Sequence, residues 1–181
     1  MTLPPLRPLL ILALFGGAVC TFGDYLHARF GVLHYFQPTL GIQAWWVPLL
    51  FFFATLSILG PIAPFRSKER QGVSNRSLAA SGAAFLLAYT STSFFHASAG
   101  ALLFFLIATW GARMIAVGNP RMVALSLLLF LAGPAFEAFW SSLGMFAYDH
   151  PEIAGVPYWL GGIYLHIAPF ALHLDERFLR T

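Results

Sequence analysis

The chain has a single cysteine, Cys20, and only 9% charged residues. One thiol excludes an intrachain disulfide and a multi-cysteine metal site, and its apolar neighbours mark it as a small core residue. Catalytic and metal-binding spacings are missing too: there is no His-Glu-x-x-His, no Gly-x-Ser-x-Gly elbow and no phosphate-cradling loop. No metal or other cofactor is therefore expected. A soluble domain carries roughly 25% charged residues, whereas here 59% of the 181 residues are hydrophobic, nineteen of them phenylalanine, and the mean hydropathy is +0.74. Water is not the solvent for most of such a surface, which implies an integral membrane protein of one domain. The net charge of +3 sits in short loops, where it reads as a topology signal, and no nucleic-acid partner is expected.

Uncharged runs predict spans at about 7–23, 41–61, 78–95, 99–117, 121–146 and 156–174. The doubtful stretch is Leu78–Gly111, which is either one long tilted helix or two helices with a tight turn near Ser93–Gly100. Charge decides between them. Six spans with an inner N-terminus put nine cations inside (Arg7, Arg66, Lys68, Arg70, Arg76, Arg113, Arg121, Arg177, Arg180) and only Arg29 outside. Five spans split them five against five. The positive-inside rule selects six, with both termini cytoplasmic. The expected architecture is an all-α integral membrane protein, its six transmembrane helices surrounding a central lipid-accessible cavity. No repeat of 20–50 residues is visible, so nothing supports an inverted-repeat transporter.

Polar groups at membrane depth are costly and are functional candidates by default. Glu137 is the clearest, following Pro134 and sharing a helical face with Trp140, Ser141 and Gly144. Two readings stand: a polar anchor for a bound lipid hydroxyl, or a structural carboxyl bonded to a neighbouring helix. His166 and His173 lie on one face of the last span, and His96 sits at the outer turn between spans three and four. Asp24, His27, His34, Asp149, His150 and Glu152 are assigned to outer loops, with no compact metal-ligand spacing among them. The third span is rich in small residues (Ala79, Ala80, Ser81, Gly82, Ala83, Ala84), which suits packing within the protomer or a homo-oligomer contact through spans three and four.

Trp45-Trp46-Val47-Pro48 heads the second span, where indoles suit a membrane–water interface and Pro48 makes the helix bend or start irregularly. His96-Ala97-Ser98-Ala99 marks the turn after the third span. This pair of strings, in this order, resembles the Insig (insulin-induced gene protein) family of membrane sterol sensors. The basic loop Arg66-Ser67-Lys68-Glu69-Arg70 and Trp110 fall where that family has a basic cytosolic loop and a tryptophan pair. The resemblance implies six helices around a sterol cavity, with spans three and four engaging partner proteins. It departs at Arg113, which stands where eukaryotic members carry an Asp tied to partner binding, and the long polar termini are missing. So minimal a chain looks like a bacterial homologue, placed in a bacterial inner membrane.

The expected function is non-enzymatic binding or sensing of a membrane lipid, a sterol or a diacylglycerol-like molecule. The candidate lining residues are Trp46, Phe53, Tyr89, Phe95, Trp110, Phe136, Glu137 and Trp140. The alternative is an intramembrane lipid hydrolase or hydratase using Glu137 with His96 or His166, because acid–base work needs two groups within reach of each other.

Overall fold

A computed structural model describes residues 4–66, 72–117 and 119–180. Lys68 and Arg70 of the basic loop lie outside the described residues. Six helices run in order: α1 (Leu6–Arg29), α2 (Val47–Leu59), α3 (Asn75–Phe95), α4 (Ala99–Val117), α5 (Pro120–Ser142) and α6 (Leu160–Leu174). Two short strands, β1 (Leu33–Tyr35) and β2 (Phe146–Tyr148), pair antiparallel. Four helices, α1, α3, α4 and α5, are long and apolar enough to cross a membrane. The helices α2 and α6 are shorter, with 13 and 15 residues, or about 20–22 Å at 1.5 Å per residue. Each is preceded by turns where the sequence predicted the span to begin.

The ends follow local chemistry. Ser74 caps α3 by accepting from the Ser77 N–H at 3.1 Å. Asn119 caps α5 through the Arg121 and Met122 amides, with Pro120 in the first turn. Pro48 also falls in a first turn, where α2 starts and a missing N–H costs no helical bond. Leu78–Gly111 divides into α3 and α4, joined by a turn at 96–98 that the Ser98 amide closes onto the Phe95 carbonyl at 3.0 Å. The first helix runs two turns beyond the expected limit of residue 23 because the polar groups in those turns have buried partners. Asp24 and His27 are therefore helical and buried, a correction to their assignment to an outer loop.

The chain contains two copies of one unit, offset by 113 residues: Arg29 ends α1 as Ser142 ends α5, and Val47 starts α2 as Leu160 starts α6. Within this offset Gly31 (φ +70°) matches Gly144 (φ +72°), both in the left-handed conformation that lets the chain leave a helix for a strand. Gly41 (φ +65°) matches Ala154 (φ +50°), and the Leu40–Gln43 bridge matches the Ile153–Val156 bridge. The strand register is symmetric under the same offset. Leu33 faces Tyr148, Tyr35 faces Phe146, and His34 faces its own counterpart Ala147. A local two-fold axis thus passes between His34 and Ala147. Because the ribbon ties the C-terminal ends of α1 and α5 together, both copies run in the same sense. They form parallel repeats, not inverted ones. The helices α1 and α2 pack on each other, as do α5 and α6, while the α3–α4 hairpin joins the copies and packs mainly on α6.

Two buried clusters hold the bundle. One lies around the ribbon and Trp159; the other joins Leu59, Ile62, Met114, Met122 and Leu172. At that second end Arg66 donates to both carboxylate oxygens of buried Asp175 at 2.8 and 2.7 Å, and Arg121 donates to the Arg66 carbonyl. This clamp ties the segment after α2 to a π-helical turn (Asp175–Leu179) that extends α6.

Candidate functional site

Between the two repeats lie adjoining cavities. The larger, about 780 Å³, runs between α2 and α5, from Trp45 and Trp46 past Phe53 and Phe136 to Leu129. The smaller, about 130 Å³, lies among α1, α2, α3 and α6. They share Asp24, Leu33, Phe51, Ala54, Ile58, Glu137 and Tyr164. The walls are otherwise almost wholly apolar, which is the character of a site for a small hydrophobic ligand.

The polar groups of the cavity obey the repeat. Asp24 in α1 and Glu137 in α5 are 113 residues apart, as are Tyr35 and Tyr148 on the strands. Tyr35 donates to Asp24 Oδ2 at 2.6 Å, and Tyr148 donates to Glu137 Oε2. The strand after each helix turns back to place a phenol on the carboxyl of its own repeat. The second donor differs between the copies. Gln43 Nε2 reaches Asp24 Oδ2 at 2.6 Å, whereas Tyr164 reaches Glu137 Oε1 at 2.6 Å. Tyr164 corresponds by the offset to Phe51, which has no hydroxyl, and Gln43 corresponds to Val156. Burial, reinforced by the neighbouring carboxyl charges, raises the Tyr35 and Tyr148 phenols above the ordinary tyrosine value; both Asp24 and Glu137 bear on Tyr35.

Of the sequence-predicted lining residues, Trp46, Phe53, Phe136, Glu137 and Trp140 line the larger cavity, and Tyr89 and Glu137 line the smaller. Trp46 and Trp140 stack across α2 and α5 with centroids 6.1 Å apart. Phe53 and Phe136 are partly exposed, at 59% and 43%, at the side of the bundle between those helices. Two candidates are placed elsewhere. Phe95 ends α3 and points outward, 62% exposed. Trp110 packs on the second buried cluster, away from both cavities, because its face of α4 turns toward α5 and α6. Asp24, Tyr35 and Gln43 are the residues that sequence reasoning missed. The available signal was the string Tyr35-x-x-Pro38 recurring as Tyr148-x-x-Pro151, followed in both copies by Trp46 or Trp159, at the same offset as Asp24 and Glu137.

The histidines have other partners. His27 Nε2 bonds the Thr92 hydroxyl at 2.7 Å, and His166 Nε2 bonds the Leu106 carbonyl at 3.1 Å. His96 Nδ1 bonds the Ser93 carbonyl, and His173 meets Ser81, which also receives Arg113. Neither His96 nor His166 hydrogen-bonds Glu137. Among the described residues no three His, Cys, Asp or Glu side chains are gathered to hold a metal ion.

No protein-family profile matches the chain. An INSIG protein homologue from Mycolicibacterium vanbaalenii is 28% identical over 173 residues, covering 92% of this chain and 84% of the relative. The crystal structure of the mycobacterial Insig homologue MvINS matches the fold with a TM-score of 0.85 at 24% identity, over 96% of this chain and 95% of that one. A cross-linked trimer of MvINS matches with a TM-score of 0.83 at 24% identity, over 96% and 94%. Over nearly its whole length the chain is similar to a bacterial Insig homologue in sequence and in fold. The two strings that suggested the family take clear structural places within it. Trp45-Trp46-Val47-Pro48 is the turn that opens α2 beside the larger cavity, and His96-Ala97-Ser98-Ala99 is the α3–α4 turn. Arg113, at the departure from the eukaryotic pattern, is half-buried and donates to Ser81 across the α3–α4 hairpin.

Proposed function

We propose that this Insig-like chain is a non-enzymatic lipid-binding or lipid-sensing membrane protein that holds one sterol or diacylglycerol-like lipid between its repeats. The observation that carries the reading is the joined pair of cavities, apolar along their length and polar only where Asp24 and Glu137 meet their phenols. Hydrocarbon fits the aromatic walls, and a hydroxyl head has two carboxyl groups to bond. The side between α2 and α5, at Phe53 and Phe136, supplies an entry from the bilayer. The protein works as a homo-oligomer in a bacterial inner membrane, with both termini cytoplasmic. The exposed small-residue face of α3 (Ala79, Ala80, Ala83) and the exposed apolar side chains of α4 (Phe104, Ile115) offer the contact. The hydrolase or hydratase alternative draws no support from the geometry, since Glu137 is held by two tyrosines and not by a histidine.

Native mass spectrometry after mild detergent extraction tests the reading. One lipid mass per protomer, displaced by added diacylglycerol or sterol, is the expected result. A protomer that emerges empty and ignores both lipids refutes it.

A further inference from the structure

The charged side chains on the cavity walls are all of one sign. Asp24 and Glu137 line both cavities, and neither Lys nor Arg lines either one. His27 also borders the smaller cavity, but its ring is buried and bonded to Thr92. The donors that serve the carboxyls are neutral: the Tyr35, Tyr148 and Tyr164 phenols and the Gln43 amide. Two donors converge on Asp24 Oδ2, and each oxygen of Glu137 receives one. That is how an ionised carboxylate is solvated when water is excluded. The arrangement solvates negative charge without neutralising it. Asp24 is only 5% exposed, yet its Oδ1 receives no hydrogen bond from any described residue while the side chain lines the cavity. Isolated charges of one sign in an apolar interior are costly, and a cation placed between them removes that cost. The repeat sets one carboxyl on each side of the local axis, and the faces of Trp46, Trp140 and Tyr35 nearby suit a cation electrostatically. A phosphate or carboxylate head would meet the two carboxyls with no Lys or Arg on the walls to offset them.

We infer that the cavity between the repeats takes amphiphiles whose head carries an ammonium group, seated between Asp24 and Glu137. This rests on the reading of the cavity as a ligand site but adds a ligand class that neither a sterol nor a diacylglycerol represents. The test compares oleylamine, oleyl alcohol, oleate and a diacylglycerol, titrated by calorimetry into the purified oligomer in maltoside micelles. Oleylamine is expected to bind at least about tenfold more tightly than its neutral isostere oleyl alcohol, with oleate weakest. The Asp24→Asn/Glu137→Gln variant, whose amides keep an acceptor but no charge, is expected to erase the amine preference. Equal binding of amine and alcohol by the native protein overturns the inference while leaving the lipid-cavity reading intact. An amine preference that survives in the folded variant overturns it as well. If no ligand binds, the cavity reading itself fails. The native protein's amine-to-alcohol ratio decides the matter even if the variant does not fold.

Discussion

Gly133→Ala sets two effects of opposite sign against each other. Gly133 lies inside α5, where an alanine gains about 1 kcal/mol in helix propensity. A Cβ at this position, however, falls on the Tyr164 ring, against Cγ, Cδ1 and Cε1. The ring is wedged between α5 and α6 with its hydroxyl on Glu137, so it has no flexible end to move aside. Overpacking of this kind costs about 1–3 kcal/mol. Shifting the ring also weakens a hydrogen bond to a carboxyl, worth about 1.5–3 kcal/mol. The net expectation is a loss of about 3 kcal/mol, or a Tm lowered by about 6–12 °C for a chain of this size. The assay is thermal unfolding in detergent. Gly111→Ala in α4 is the control, because nothing lies within 4 Å of its added Cβ; its Tm should hold or rise. Adding Tyr164→Leu to Gly133→Ala should cost less than the two single changes summed, a coupling of about 1–3 kcal/mol. If Gly133→Ala is as stable as Gly111→Ala, the close approach of α5 and α6 described above is wrong.

Asp175→Asn removes the buried charge that receives both Arg66 bonds, leaving a partly exposed guanidinium half-paired; a loss of about 2–3 kcal/mol is expected by chemical or thermal unfolding, and an unchanged Tm refutes the clamp. The Tyr35 and Tyr148 phenols are raised by burial, so the folded state keeps protons that the unfolded chain releases near pH 10. Their contribution is whole below that pH and falls as pH rises above it. The Tm should therefore decline steeply from about pH 10 upward, and Tyr35→Phe/Tyr148→Phe should flatten the slope; equal slopes would contradict the assignment. Trp46→Ala and Trp140→Ala should each lower lipid retention in native mass spectra, whereas Phe95→Ala, at an exposed position outside both cavities, should not; the reverse order would move the site.

Membrane class, the α3–α4 break and the likeness to Insig homologues were legible because each leaves a local mark: hydropathy, loop charge, and the strings at Trp45 and His96. Helix limits were less so. An uncharged run from Gly41 to Pro61 says nothing about where a helix starts, and the start at Val47 depends on the bridge at Leu40 and Gln43. Asp24 went unrecognised because its partners are far along the chain. Gln43 and Tyr35 reach it only after a positive-φ glycine and a strand reverse the chain. The repeat escaped for a related reason. What the two copies share is mostly backbone conformation and a few polar positions, while the apolar residues between them mostly differ.

The two copies agree in some features and differ in others. Under the 113-residue offset the carboxyl, the strand phenol, the helix-ending glycine and the tryptophan before the second helix persist, whereas the second donor to each carboxyl does not. Asp24 obtains it from Gln43 in the turn before α2, and Glu137 obtains it from Tyr164 on α6. The second donors are different side chains on inequivalent oxygens: Gln43 shares Asp24 Oδ2 with Tyr35, whereas Tyr164 takes the Glu137 oxygen that Tyr148 leaves. The asymmetry has a mechanical consequence as well. Besides its strand phenol, Glu137 is tied by Tyr164 to α6, which the α3–α4 hairpin also packs against, while Asp24 is tied by Gln43 to the turn beside Trp45 and Trp46. Of the two walls, the Asp24 side has fewer helix contacts to hold it, so occupancy of the cavity should be felt first at the turn that opens α2. An environment-sensitive label at Trp45, which is exposed, should respond to ligand before one placed at Tyr158, its counterpart in the second copy. An equal response at both would show that the halves move together.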